Sequence, residues 1–205
     1  MRPAGHVIKR AMMTMIGLVL AVSVTAVAQE SRSEVSVQGA GFFTKNSDRN
    51  GIQNKATDTG GFVVGYRYNI NRWLAAEGDY GYARNTQSFS GTVPARVQAN
   101  VHQITGAGVV KLPAFAKVHP FVLAGGGALV FDPTDKSGNF PGATRETRGT
   151  FLYGGGADYS LTTHLLLRAQ YRGFVYRAPS FNVASLKSDA WTHAAQPSAG
   201  IVFRF

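Results

Sequence analysis

The sequence contains no cysteine, which excludes disulfides, thiolate metal sites and a cysteine nucleophile. A secreted domain of this length without cross-links must be held by packing or by a membrane. Acidic residues are scarce too: 11 Asp and Glu stand against 21 Lys and Arg. That imbalance invites a nucleic-acid reading, but the basic residues are scattered and form no helix face or cluster. An exported protein also rarely meets nucleic acid, so none is expected as a partner. An anionic lipid surface is the better counterpart. Long apolar runs are missing beyond residue 28, because Gly, Arg, Gln or Asp interrupts every candidate. Nothing there reaches the roughly 20 apolar residues of a bilayer-spanning helix. Any crossing after export must use strands.

What is present begins with a separate N-terminal piece. Arg2, Lys9 and Arg10 form a positive segment, residues 16–24 are mostly apolar, and Ala26-Val27-Ala28 places small residues before Gln29. This order reads as a signal peptide cut between Ala28 and Gln29. A membrane anchor is the alternative, but the apolar run is short and small residues end it. The expected division is residues 1–28 as signal peptide and 29–205 as one mature domain. Cleavage removes three basic residues and no acidic one, lowering the formal charge from +10 to +7.

The mature sequence alternates apolar positions with polar or small ones, in segments of about ten residues bounded by Gly, Asn, Asp, Pro and Ser. The expected strands are residues 34–44, 59–70, 73–84, 97–111, 118–131, 150–160, 164–176 and 191–205. Long connections (45–58, 85–96, 132–149, 177–190) alternate with short ones (71–72, 112–117, 161–163). This sorting of loops by parity is expected of an eight-stranded antiparallel transmembrane β-barrel, an up-and-down meander with long outer loops and short periplasmic turns. An even strand number puts both termini on the periplasmic side. A soluble β-sandwich alternates as well, but nothing requires it to sort its loops.

Two hairpins can be registered from their turns. Pairing the second and third strands about Arg72 sets Phe62 opposite Tyr82, Val64 opposite Tyr80, Tyr66 opposite Gly78 and Tyr68 opposite Ala76. On the reverse face Arg67 meets Glu77 and Gly65 meets Asp79. Pairing the sixth and seventh about Thr163 sets Phe151 opposite Val175, Tyr153 opposite Gly173 and Tyr159 opposite Leu167. Asp158 then meets Arg168 on the back, and Gly154 meets Arg172. The polar face could be solvated while the aromatic face packs a core. Aromatics at the strand ends (Phe62, Tyr68, Trp73, Tyr82), recurrent strand glycines and mid-strand charge pairs favour the inverse arrangement, with the apolar face in lipid. An eight-stranded barrel is just wide enough for side chains to fill. Arg67, Glu77, Asp79, Gln103, Asp158, Arg168, Gln170, Arg172 and Arg204 should therefore form a hydrogen-bonded plug. A narrow pore for small solutes is the alternative.

The chain ends Gly200-Ile201-Val202-Phe203-Arg204-Phe205, with apolar residues alternating towards a terminal aromatic. Together with the strand pattern and signal peptide, this resembles the small OmpA/OmpX-type outer-membrane β-barrel families. The resemblance implies a location in the bacterial outer membrane and insertion by the barrel-assembly machinery, which would read Ile201, Phe203 and Phe205. Two departures stand out. Pro197 removes a ladder donor inside the last strand, where a bulge or late start is expected. A peptidoglycan-binding domain after the barrel, and with it a tethering role, is not expected.

No reaction is legible, and no cofactor or metal is expected. Some barrels of this size modify lipids, but His102, His119, His164 and His193 form no tight His-x-Ser pattern. His193, Ser198 and Asp189 make a triad only on paper. Asp132-Pro133-Thr134-Asp135 is read as a turn rather than a calcium loop. The expectation is a monomeric structural or surface-interaction barrel without enzymatic activity. Its loop residues Lys45, Arg49, Lys55, Arg84, Arg96, Arg145 and Arg148 would contact lipopolysaccharide phosphates.

Overall fold

The computed structural model describes residues 32–45, 47–49, 52–56, 58–90, 95–134, 144–179, 181 and 191–205. The proposed cleavage residues Ala26, Ala28 and Gln29, and also Asp189, lie outside them. Among the described residues ten strands run in chain order: β1 (Ser33–Thr44), β2 (Ser47–Arg49), β3 (Ile52–Ala56), β4 (Thr59–Asn69), β5 (Leu74–Ser90), β6 (Ala95–Lys111), β7 (Val118–Pro133), β8 (Glu146–Ser160), β9 (Leu165–Arg177) and β10 (Trp191–Arg204). Eight of them close a ring in the order β1-β4-β5-β6-β7-β8-β9-β10, with β10 pairing back onto β1. Every pairing in the ring is antiparallel.

Two of the short turns share one chemistry. Asn71 Oδ1 accepts from the backbone N–H groups of Trp73 and Leu74 at 2.7 and 2.8 Å. Thr162 Oγ1 accepts in the same way from His164 and Leu165 at 3.3 and 3.0 Å. Such side chains substitute for backbone partners and fix a tight reversal. The fixed reversal sets the hairpin register: Phe62↔Tyr82 and Arg67↔Glu77 in one hairpin, Phe151↔Val175 and Asp158↔Arg168 in the other. The third turn, between β6 and β7, contains Ala116 at φ 53°.

Because side chains alternate along a strand, one register decides both faces. Outward positions are apolar and exposed, among them Val64, Tyr66, Tyr80, Ile104, Val122, Tyr171 and Ile201. Inward positions over the turn-end and middle parts of the lumen are largely polar: Arg67 and Arg172 are each 1% exposed, and Arg168 2%. The barrel is apolar outside and holds its buried charges inside, the reverse of a soluble domain.

The structure departs from the expected pattern in four places. The 85–96 connection is mostly strand, because β5 continues to Ser90 and pairs there with both β6 and β3. The short β2–β3 hairpin lies within the first long connection, so a small sheet projects beyond the ring at the loop end. Asp132 and Pro133 belong to β7, paired with Asn100 and Ala99, so they do not form a turn. Pro197 causes neither a bulge nor a late start. β10 runs through it in unbroken register with β9, and the ladder to β1 merely lapses opposite Gly41 and Phe42 before resuming in the same register. The missing N–H interrupts that ladder without adding a residue to it.

Inward glycines let neighbouring strands approach closely. A Cβ on Gly125 would strike the carbonyl of Gly106, and one on Gly127 that of Ile104. Outward Gly78 has open space around it. Gly127→Val is expected to cost about 3 kcal/mol or more and to abolish the heat-modifiable band of the folded barrel in electrophoresis. Gly78→Ala should leave that band unchanged.

Candidate functional site in the barrel lumen

The lumen is built in tiers. Nearest the turn end, Arg67 Nε donates to Glu77 Oε2 at 2.6 Å and Nη1 donates to Asp158 Oδ2 at 3.3 Å. Arg168 mirrors it, with Nε to Asp158 Oδ1 at 2.6 Å and Nη1 to Glu77 Oε2 at 3.3 Å. Each guanidinium therefore bridges both carboxylates. The β4–β5 hairpin lies opposite the β8–β9 hairpin in the eight-strand ring, so this tetrad ties the barrel across its diameter.

Glu34 extends the tetrad. It accepts from Arg168 Nη2, from Arg204 Nε and from Asn69 Nδ2, each at 3.0 Å. Three guanidiniums and three carboxylates thus share this tier, and their formal charges cancel. The Phe121 ring completes it, with Arg67 and Arg168 lying 4.2 and 5.3 Å from its centroid. Buried charges are tolerated only when paired and hydrogen-bonded, and arginine suits the role because its planar fork can engage two acceptors at once.

The middle tier is looser. Arg172 Nη1 lies 2.9 Å from Asp79 Oδ2, an ion pair whose angles fall short of a hydrogen bond. Gln196 Nε2 donates to Gln103 Oε1 at 2.9 Å, and Ser198 Oγ donates to Gln38 Oε1 at 3.0 Å. The amide of Gln170 is buried without a hydrogen-bond partner among the described residues.

Towards the loop end the lumen turns apolar. Phe42 packs on Phe174 with ring centroids 6.1 Å apart, and Phe131 packs on Tyr176 at 5.9 Å and on Phe181 at 6.3 Å. Leu129 and Leu152 are fully buried beside them. Phe181 belongs to the β9–β10 connection and reaches into this tier at φ 53°. Its backbone N–H donates to Glu146 Oε2 at 2.6 Å.

Of the nine residues expected in the lumen, Arg67, Glu77, Asp158, Arg168 and Arg204 meet in the lower tier, while Asp79, Gln103, Gln170 and Arg172 lie in the middle one. Sequence reasoning missed Glu34, Gln38, Asn69, Gln196 and the whole apolar tier. Glu34 had a readable signal: it occupies an alternating strand position near the start of β1. Its partners came from β4, β9 and β10, across pairings that no short turn registers. At the chain end, Ile201 and Phe203 face outward, and Phe203 stacks on Phe205 at 6.1 Å. Phe205 also exchanges backbone hydrogen bonds with Ser33. The paper triad does not assemble. His193 points outward and bonds Tyr153 Oη at 2.8 Å, whereas Ser198 points inward to Gln38.

A closed eight-stranded barrel with a lipid-facing apolar surface and a paired-charge lumen defines a membrane-spanning barrel of the outer-membrane type. Residues 14–203 match the family model described as outer membrane protein beta-barrel domain, and the chain belongs to that family. It is an outer-membrane protein. No curated protein matches it. Among solved structures it is similar to Neisserial surface protein A, with a TM-score of 0.58, 16% identity, and coverage of 84% of this chain and 97% of that one. It is also similar to OprG from Pseudomonas aeruginosa (TM-score 0.55, 13% identity, 87% and 98% covered). Ail, the attachment invasion locus protein of Yersinia pestis, gives a TM-score of 0.51 at 20% identity, with 86% and 100% covered. At these identities the likeness concerns the fold.

Removing one member of the tetrad leaves a buried charge without its counterion. Glu77→Gln is expected to lower stability by about 3 kcal/mol or more, read from urea unfolding of the refolded barrel. Adding Arg67→Met should recover part of that loss, giving a measurable coupling in a double-mutant cycle.

Proposed function

We propose that this protein is a non-conducting outer-membrane barrel whose lumen is a structural plug and whose loop end makes surface interactions. In this reading the loops are extracellular, the termini are periplasmic, and residues 1–28 are removed on export. The observation that carries it is the double filling of the lumen. A solute would have to part the Arg67–Glu77–Arg168–Asp158 tetrad and also the aromatic tier of Phe42, Phe131, Phe174 and Phe181. The two seals rest on different physics, so one change in conditions does not loosen both.

At the loop end, Lys45, Arg84 and Arg145 are exposed basic residues, suited to lipopolysaccharide phosphates. Ail has been solved in complex with the heparin analogue sucrose octasulfate, at a TM-score of 0.50 and 17% identity to this chain. That is a polyanion on a barrel of similar fold. Outward Ile201 and Phe203 and the terminal Phe205 would serve the barrel-assembly machinery, and the barrel would act as a monomer. A narrow conduit is the second reading, favoured by the incompletely bonded middle tier. A lipid-modifying activity would be removed by finding unchanged lipid A in cells that overproduce the protein.

Planar-bilayer recording distinguishes plug from pore. The purified barrel is expected to give no stable unitary current. A stable current that changes with Arg67→Ala or Glu77→Ala would overturn the plug reading.

A further inference from the structure

The lower tier neutralises itself, but the mouth beneath it does not. A cavity of about 320 Å³ opens at the turn end, walled by Arg72, Lys111, His119 and Arg204 together with Arg32 and Asn69. Among the described residues that line it, none is acidic. Arg204 spends its charge on Glu34, whereas Arg72 and Lys111 add positive charge that no lining carboxylate offsets. A second cavity of about 210 Å³ adjoins the first and shares Arg72, Lys111 and His119 with it. Its remaining walls include Trp73, Leu112 and Pro113. Trp73 and Leu112 are each 44% exposed, and the Arg72 guanidinium lies 5.2 Å from the centre of the Trp73 ring.

We propose that these joined cavities bind the phosphate of an anionic phospholipid. Arg72, Lys111 and His119 would take the headgroup, and the acyl chains would leave over Trp73 and Leu112. Arginine and lysine are the side chains that recognise phosphate oxygens, and tryptophan marks the membrane–water boundary where a headgroup lies. A free phosphate would need only the first cavity. The second, apolar-walled and set at the lipid-facing rim, suits a ligand with a hydrocarbon part. Placing this lipid in the periplasmic leaflet rests on the orientation proposed above, but the binding itself does not.

The test uses the full mature barrel in nanodiscs, with Trp191→Phe so that Trp73 is the fluorescent reporter. Acyl-brominated phosphatidylglycerol is expected to quench Trp73 more than brominated phosphatidylcholine at equal mole fraction. Because one basic residue shifts binding to an anionic lipid surface by about fivefold, Arg72→Gln with Lys111→Gln should remove the excess. Arg177→Gln, an exposed basic residue at the other end whose ring partner is the already replaced Trp191, should preserve it. Equal quenching by the two lipids, or an excess that survives the double change, would overturn the proposal. Relief of the excess by inorganic phosphate, but not by chloride of equal ionic strength, is expected, because both ligands offer phosphate oxygens to the same basic residues. Phosphate binding without any lipid excess would overturn the lipid source and assign the site to free phosphate. Retention of the heat-modifiable band shows that the double variant is folded; should it be lost, Lys111→Gln alone carries the comparison. Nanodiscs offer the same lipid on both faces, so the result does not depend on orientation. Orientation is read separately, from maleimide labelling of an Ala114→Cys variant in intact cells.

Discussion

Hydrocarbon offers a backbone N–H no partner, and this constraint organises the whole molecule. Each strand must find its hydrogen bonds on both sides, which an open sheet denies to its two edge strands. Pairing of β10 with β1 is therefore the condition for the fold, and it brings the two ends of the barrel domain together: Ser33 and Phe205 exchange backbone bonds at the seam. Closure then forces the alternation of side chains to choose between lipid and lumen. Apolar residues take the outside because lipid is there, and the mid-strand charges Arg67, Glu77, Asp79, Asp158, Arg168 and Arg172 are left facing inward.

That inheritance explains the tiers. An eight-stranded ring leaves room for side chains and little else, so inward charges can only be neutralised by one another. Arg67 and Arg168 find Glu77 and Asp158 because the ring brings two hairpins face to face, and closure of β1 on β10 sets Glu34 beside Arg204. Towards the loop end the same packing demand is met by Phe42, Phe131, Phe174 and Tyr176, with Phe181 supplied from a connection. The narrow lumen thus carries an ionic floor and an aromatic ceiling, and the less completely bonded glutamines lie between them.

Much of this was legible in the sequence wherever a short turn joined two strands. Asn71 and Thr162 fix their reversals, so the Arg67–Glu77 and Asp158–Arg168 pairings, and with them the sorting of faces, could be registered by counting. Where strands are joined by long connections or by closure of the ring, counting fails. Glu34 was missed for that reason, although it holds three partners in the lower tier. The apolar tier was missed for a different reason. Leu152 and Phe174 lie opposite each other on the inward face of the registered hairpin, but that face was read from its charged pairs alone, and Leu129 sits on a strand that was not registered. Pro197 misled because a lost donor was taken to require a bulge or a late start, whereas the ladder simply lapses over two pairs and resumes in register.

The neutral floor and the unbalanced mouth, joined through Arg204, belong to two electrostatic regimes. Ions in solution screen charges over about 8–10 Å at ordinary salt, but they act on groups that water can reach. The Arg67–Glu77–Arg168–Asp158 tetrad lies beyond that reach, so ionic strength leaves the barrel's internal tie untouched. Arg72 and Lys111, at the open end, feel every change in it. Salt thereby separates cohesion from attraction at one end of the barrel: it dims what the mouth draws in without loosening what holds the wall.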